Sequence, residues 1–410
     1  MRLEPEGIWS AEAVKTVRLV GDLARSAGLH AYLVGGPVRD LLLGRETLDL
    51  DIAVEGDAAE LALALARALG GQVTRHERFG TAVVAWSSPL HVDLAATRRE
   101  TYPEPGSLPD VSTAPLTEDL WRRDFTIHAM ALPLTRQPAE LIDLVGGRLD
   151  LQLRLLRGLH PRTFYDDPTR LVRAARYAAA FGLTVEPETL AWLRTAVADG
   201  MLRQVTGARI WGELQRTLEG PEFVAATQLL ADWGALAELG LGAVEHVAAL
   251  PGLALAPDST PAERALAAVG MLAGERAAAV AEAFELSLCQ RDAVRAAAAM
   301  ATSPPPVVFA AGAKSSTLHE ALGELPPAGL LALWAAHPGA RASLERWRAA
   351  SPWQADIGGD DLVAAGHLPG PGFTEALSAA LIAKLDDGAD RHGQLQAALA
   401  ALEQARRRTT

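Results

Sequence analysis

Asp49 and Asp51 are the residues whose type and spacing point most directly to chemistry. They lie in Leu48 to Val54, LDLDIAV, a short apolar run that reads as a strand. Residues i and i+2 of a strand share a side, so both carboxylates face the same way. Two such charges repel and raise each other's pKa unless a cation lies between them. Mg²⁺ takes oxygen from one or two carboxylates and completes its shell with substrate phosphates. Just upstream, AYLVGGPVRDLLLG gives a strand at Tyr32 to Val34 and a bare turn at Gly35-Gly36. A helix then begins at Pro37, with Arg39 one turn in and Gly44 past its end. Backbone N–H groups at such a turn suit phosphate oxygens. Strand, Gly-Gly turn, helix with Arg, then strand with Asp-x-Asp describes a metal-dependent nucleotidyl transfer site.

That order resembles the signature GGxVRDxLLG…DxDIAV of the class II tRNA nucleotidyltransferase and bacterial poly(A) polymerase family, within the polymerase-β-type superfamily. Further stretches extend the resemblance. RRDFTIHAMAL, from Arg122, is similar to the family's RRDFTxNA motif, except that His128 stands where Asn is usual. In that motif Arg122 and Arg123 can neutralise phosphates and Asp124 can accept a ribose hydroxyl. The His128 departure bears on the local hydrogen bonding and on sugar recognition. IDLVGGRLDL, from Ile142, resembles the motif that joins the sheet domain to the downstream helices, with Gly146-Gly147 as a hinge or a plain turn. Asp93, on a strand predicted at His91 to Ala95, is either a further site carboxylate or a polar residue on a strand rim. Thr97 to Asp119 is interrupted by Pro and Gly and is predicted to hold no long regular structure. It is either a lid that helps switch between nucleotides, as the resemblance implies, or a disordered loop.

Tyr165 to Phe181, YDDPTRLVRAARYAAAF, is the second chemical stretch. Asp166 is the expected helix N-cap, with Pro168 in the first turn. Asp167, Arg170, Arg173 and Arg176 recur every three residues and form a strip along the helix. An ion-paired, solvated face would explain the spacing. A sharper use comes from hydrogen-bond chemistry: a carboxylate accepts and a guanidinium donates. Side by side, Asp167 and Arg170 match the amino group and ring nitrogen of cytosine or adenine, and mismatch guanine and uracil. The stretch is similar to the family's base-reading motif, with Val172 and Tyr177 in place of Leu and Phe. The resemblance implies that Arg173 and Arg176 hold the nucleotide or primer. Downstream, ARIWGELQRTL resembles a weaker family motif; Arg209 and Glu213 either buttress the preceding helix or belong to an ordinary amphipathic one.

The chain has 410 residues and a net charge of −12, which by itself speaks against a nucleic-acid partner. Residues 1–220 hold 25 Lys and Arg against 29 Asp and Glu, the rest 13 against 21, so the acidity is concentrated away from the motifs. One cysteine, Cys289, excludes an internal disulfide and a cysteine zinc site. The histidines show no ligand spacing. No apolar run reaches the length of a membrane span, and MRLEPEGIWS lacks a signal pattern, so the expectation is a soluble, cytoplasmic protein without a membrane partner.

The fold class expected is α+β. A polymerase-β-type nucleotidyltransferase head, a mixed sheet with helices, precedes an all-α neck, body and tail. The expected divisions are a catalytic head at 1–150, a neck of nucleobase- and RNA-binding helices at 151–225, an all-α body at 226–350 and a tRNA-binding all-α tail at 351–410. The resemblance implies template-independent addition of C, A or both from CTP and ATP to the 3′ end of tRNA, gripped through its acceptor–TΨC half. It leaves open CCA, CC-only and A-only addition. The implied site has Asp49 and Asp51 as metal-binding catalytic residues, with Mg²⁺ in a two-metal arrangement and Mn²⁺ as a substitute. Gly35, Gly36, Arg39, Arg123, Asp124, Asp167, Arg170, Arg173 and Arg176 bind the nucleotide. A poly(A) polymerase of the same fold, disfavoured by the acidic C-terminal half, and a non-catalytic RNA-binding relative are the alternatives.

Overall fold

The computed structural model describes residues 5–76, 80–136, 139–242, 244–350 and 353–409. The domain limits at 1, 351 and 410 lie outside these. The chain forms two compact units, Met1–Leu239 and Gly240–Thr410.

In the first unit, helix α1 (Ala11–Ser26) is capped by the Ser10 hydroxyl and leads into β1 (His30–Val34). Helix α2 (Gly36–Leu42) starts on Pro37, and β2 (Asp49–Glu55) comes after it. Helix α3 (Ala58–Leu69) opens where Asp57 accepts from the N–H groups of Ala59 and Glu60, and closes on Gly70 in the left-handed region. Three strands come next: β3 (Gln72–His76), β4 (Thr81–Ala85) and β5 (His91–Ala96). After β6 (Arg98–Thr101), β7 (Asp110–Thr113) and α4 (Leu116–Trp121), the chain re-enters the sheet through β8 (Met130–Pro133) and β9 (Ile142–Asp143).

The sheet order is β3-β4-β5-β2-β1-β8-β9. Only β2 and β5 run parallel; the other neighbours are antiparallel. The β2–β5 register matters most, because it sets Asp51 beside Asp93 and Asp49 beside His91. It is held by burial: Leu50, Ile52 and Val54 of β2 and Val92 and Leu94 of β5 are at most 1% exposed. A one-residue slip would turn that apolar set outward and the acids inward.

Of the two alternatives for Thr97 to Asp119, the disordered loop is overturned, and the regular structure there is short. The segment contains the β6–β7 antiparallel ribbon and the start of α4, and its turn is tied down. The Gly106 N–H donates to the Tyr165 carbonyl, and Arg209 donates to the Gly106 carbonyl. Gly147 is also more than a turn residue: a Cβ there would lie 2.1 Å from the Thr126 carbonyl oxygen.

Helix α5 (Gly147–Gln152), strand β10 (Leu155–Leu156) and helix α6 (Thr163–Asp166) lead to α7 (Thr169–Phe181). Strand β11 (Thr184–Val185) and helices α8 (Pro187–Ala198) and α9 (Gly207–Glu219) complete this stretch, and α9 packs on α7. The N-cap prediction is corrected: Pro168 holds the N-cap position of α7, and the residue before it supplies the acceptor. Asp166 ends α6, and Asp167 accepts from the Thr169 N–H at 3.1 Å and its hydroxyl at 2.7 Å. Two carboxylates precede Pro168, and only the second has the extended backbone (φ −135°, ψ 96°) that aims it at the helix start.

The regular elements among the described residues of the second unit are all helices. Capping boxes Thr260/Glu263 and Ser287/Gln290 start the helices Pro261–Ala273 and Leu288–Thr302. These pack closely because Gly270 leaves room for the Val294 carbonyl. Gly372–Asp387 and Arg391–Thr409 enclose an apolar cluster that includes Leu362, Ala376, Ala380 and Leu402. No helix among the described residues is long and apolar enough to cross a membrane.

Candidate active site

A cavity of about 720 Å³ in the first unit is bordered by every site residue expected from the sequence, from Gly35 to Arg176. Asp49 and Asp51 reach it from β2, and Asp93 borders it from β5. Burial, then the charge of Asp49 and of Asp93, pushes the Asp51 carboxyl from 3.8 up to about 6, although Arg123 and Arg39 pull the other way. Concentrated, undercompensated negative charge at an open oxygen-rich edge is what a divalent cation relieves. The residues present therefore fit a metal site.

The sequence reading missed His91. One donor atom from each of Asp49, His91 and Asp93 lies within 4.8 Å of the others, and His91 Nε2 is 3.1 Å from Asp49 Oδ1. The signal was His91-x-Asp93, the same i, i+2 strand spacing that marked Asp49 and Asp51. Asp93 stands with the site carboxylates and not on a distant rim.

Gly35 is favoured by its backbone: its φ is +70°, and a Cβ there would also displace the Arg123 guanidinium, whose Nη1 would lie 2.8 Å away. A Cβ on Gly36 would lie 3.8 Å from Asp51 Oδ2 and 3.7 Å from Arg39 Nη2. The turn thus lets backbone, carboxylate and two guanidinium groups converge.

The paired arginines divide their tasks. Arg122 donates to Asp119 at 2.9 Å and to Glu100 at 2.9 Å. Burial would raise both acids, but the arginines hold both carboxyls below their ordinary range. Arg123 shares Asp119 yet remains at the cavity wall, and its Nε has no hydrogen-bond partner.

Asp124 departs from its expected role. Oδ1 accepts from the Phe125 N–H and from the His128 ring, and Oδ2 accepts from Nε and Nη2 of Arg173. Four bonds fill the lone pairs of a carboxylate, leaving no free acceptor for a ribose hydroxyl. Burial alone would raise its pKa; Arg173 and the His128 hydrogen bond hold it well below the usual range. His128, 5% exposed, is pushed down to about 4 by burial, against the pull of Asp124.

Along α7, Arg170 Nη1 donates to the Thr163 hydroxyl at 2.8 Å and Nη2 to the Arg122 carbonyl at 2.8 Å. Arg173 and Arg176 both reach Glu213. Asp167 receives Arg209 Nη2 at 2.9 Å. So α9 does buttress α7 through Arg209 and Glu213, and the strip is not a solvated face. Asp167 and Arg170 border the same cavity, and the Arg170 N–H donates to the Asp167 carbonyl at 3.0 Å, but their side chains bond to other groups. Asp167 lies in extended backbone before the helix, so its side chain turns to Thr169 and Arg209 and does not pair with the Arg170 guanidinium.

A mixed sheet with paired carboxylates on an inner strand, followed by helices, is the polymerase-β-type nucleotidyltransferase head with an all-α extension. Comparison with known proteins agrees. Residues 31–157 match the poly A polymerase head domain, and residues 182–240 match the "probable RNA and SrmB-binding site of polymerase A". The chain is 42% identical over 212 residues to an A-adding tRNA nucleotidyltransferase of Aquifex aeolicus, covering 52% of this chain and 26% of that one. It is 41% identical over 233 residues to a CC-adding tRNA nucleotidyltransferase of Deinococcus radiodurans, covering 56% and 61%. It thus spans less than two thirds of either relative. The structure of the Thermotoga maritima CCA-adding enzyme complexed with tRNA superposes with a TM-score of 0.76 at 27% identity, over 96% of both chains. The chain belongs to the class II tRNA nucleotidyltransferase and bacterial poly(A) polymerase family.

Proposed function

We propose that the protein adds C, A or both, from CTP and ATP, to the 3′ end of tRNA without a template. The observation that carries this is the β2–β5 register, which sets Asp49, Asp51 and Asp93 at one wall of a cavity whose other walls bring Gly35, Arg39, Arg123 and the α7 arginines. A wall of three clustered acids opposite walls that carry arginines, across about 720 Å³, suits a metal-bound nucleoside triphosphate. Asp49 and Asp51 hold Mg²⁺, or Mn²⁺ in its place, in a two-metal arrangement, with Asp93 and His91 beside them. A divalent cation held there would supply Lewis acidity toward the 3′-hydroxyl and the pyrophosphate oxygens. Arg39 and Arg123 neutralise the triphosphate, and the Gly35-Gly36 turn leaves room for it. Asp167, whose side-chain bonds all fall on Oδ1, accepts from the amino group of cytosine or adenine with Oδ2, and Arg170, on the same cavity wall, donates to the base once it is released from Thr163 or the Arg122 carbonyl. Arg173 and Arg176 hold the base-facing wall.

Relatives of both one-nucleotide and two-nucleotide specificity are similar to this chain, so the choice between them is left to experiment. Purified protein is incubated with Mg²⁺, CTP or ATP, and tRNA lacking all three, one or none of its CCA nucleotides. Incorporation into a truncated tRNA supports the reading, and the accepting substrate assigns CC, A or CCA addition. Equal extension of an unstructured oligonucleotide would favour a poly(A) polymerase instead. No incorporation with any pairing would sink both. A tRNA substrate also implies a cytoplasmic site of action.

A further inference from the structure

His128, on the turn between α4 and β8, joins two groups that otherwise belong to separate parts of the site. Its Nε2 lies 2.6 Å from Arg39 Nη1, and its Nδ1 lies 2.8 Å from Asp124 Oδ1. The partners dictate the proton positions. A guanidinium can only donate, so Nε2 accepts; the ring proton is then on Nδ1 and is donated to the carboxylate. The depressed pKa of the buried imidazole agrees with this neutral form. The bridge continues: Asp124 binds Arg173 of α7 through two bonds of 2.9 and 2.6 Å. The ring itself is seated edge-on against Tyr177, with centroids 4.4 Å apart.

Arg39 needs such an anchor. Its Nε and Nη2 bind the flanking Asp40 at 2.9 Å each, and the guanidinium lies over the Phe181 ring, 4.1 Å from the centroid. Nη1 is the remaining corner, and His128 fixes it. A carboxylate there would add a second negative charge beside Arg39 and weaken its pull on phosphate; a neutral imidazole supplies an acceptor without that charge.

Resting on the reading of the cavity as a nucleoside triphosphate site, we propose that His128 is a positioning residue. It locks the Arg39 guanidinium to Asp124 and Arg173, so that the triphosphate grip and the base-facing helix keep one geometry. A carboxamide can copy only one ring nitrogen. Asn at 128 places its amide near Nδ1, keeping Asp124 and releasing Arg39. Gln reaches the place of Nε2, keeping Arg39 and releasing Asp124. The Asn usual in the family motif would therefore not make this bridge.

The test is equilibrium binding of ATP and AMP, each with Mg²⁺, to the parent, His128→Asn and His128→Gln. Loss of the Arg39 anchor is expected to weaken ATP about tenfold in His128→Asn, the low end of what a hydrogen bond to a charged group is worth. AMP binding should be unchanged, and His128→Gln should recover most of the ATP affinity. Parent-like ATP binding by His128→Asn overturns the proposal. So does equal weakening of ATP and AMP in both variants, which would make His128 a purely structural residue. A parent that binds ATP no better than AMP has no triphosphate grip to position, and also overturns it. A parent that prefers ATP yet extends no RNA would overturn the proposed function and leave this inference standing.

Discussion

The β2–β5 pair, in the middle of the sheet, and the α7 face border one cavity and handle charge in opposite ways. On the cavity-facing edge of that pair, Asp49, Asp51 and Asp93 crowd together, and burial with their charge drives Asp51 up to about 6. On α7, Arg170, Arg173 and Arg176 each have fixed partners, and Asp124 and Glu213 are shared among several donors. The edge stores repulsion that a cation would release. The helix is already settled, so it presents its groups without further ordering. A site for a variable, charged guest and a site for shape selection call for these two different electrostatic states.

The comparison can be broken most sharply at the edge. Asp51→Ala is expected to lower nucleotide incorporation by orders of magnitude with a native circular-dichroism spectrum; near-normal turnover would mean that the strained carboxylate holds no metal.

On the helix side, Asp124→Ala should act on folding first. It leaves the half-buried Arg173 with only the longer Glu213 contact and His128 without its acceptor, at a cost of about 2–3 kcal/mol, measured by urea unfolding. A loss below about 1 kcal/mol would place the pair in the class of exposed ion pairs.

The two walls should also differ in sign. Asp51 has a folded pKa raised from 3.8 to about 6. Its contribution to stability is therefore greatest below pH 4 and is lost as pH rises through 6. Without metal, Asp51→Asn should be more stable than the parent at pH 8 by about 2–3 kcal/mol, with the gap closing towards pH 4. Thermal melts in chelator across that range check it, and a pH-independent gap would mean that no repulsion is stored at Asp51.

The smallest expected effect is on selectivity. Asp167→Ala removes an acceptor facing the base, worth about 1–3 kcal/mol. The ratio of kcat/KM for CTP or ATP over UTP should fall accordingly. An unchanged ratio would show that Asp167 serves only Thr169 and Arg209.

Much of this arrangement was legible in the sequence. Strand alternation put Asp49 and Asp51 on one side, and the Gly-Gly break marked the close approach that Gly35 confirms with its φ of +70°. Those features are set by residues within a few positions of one another, where backbone geometry alone decides. What lay beyond reach depended on register and on contacts between distant segments. His91 joins the carboxylates because β5 runs parallel to β2, a pairing across 42 residues that no local pattern encodes. Asp124 looked like a free acceptor until tertiary packing brought Arg173, 49 residues on, against it. The spacing of Asp167 and Arg170 suggested a helical pair, but the helix begins after Asp167, and Arg209 takes its place. Local sequence determined which groups the site contains; the fold decided which are left unsatisfied, because burial and charge compensation are properties of the assembled core.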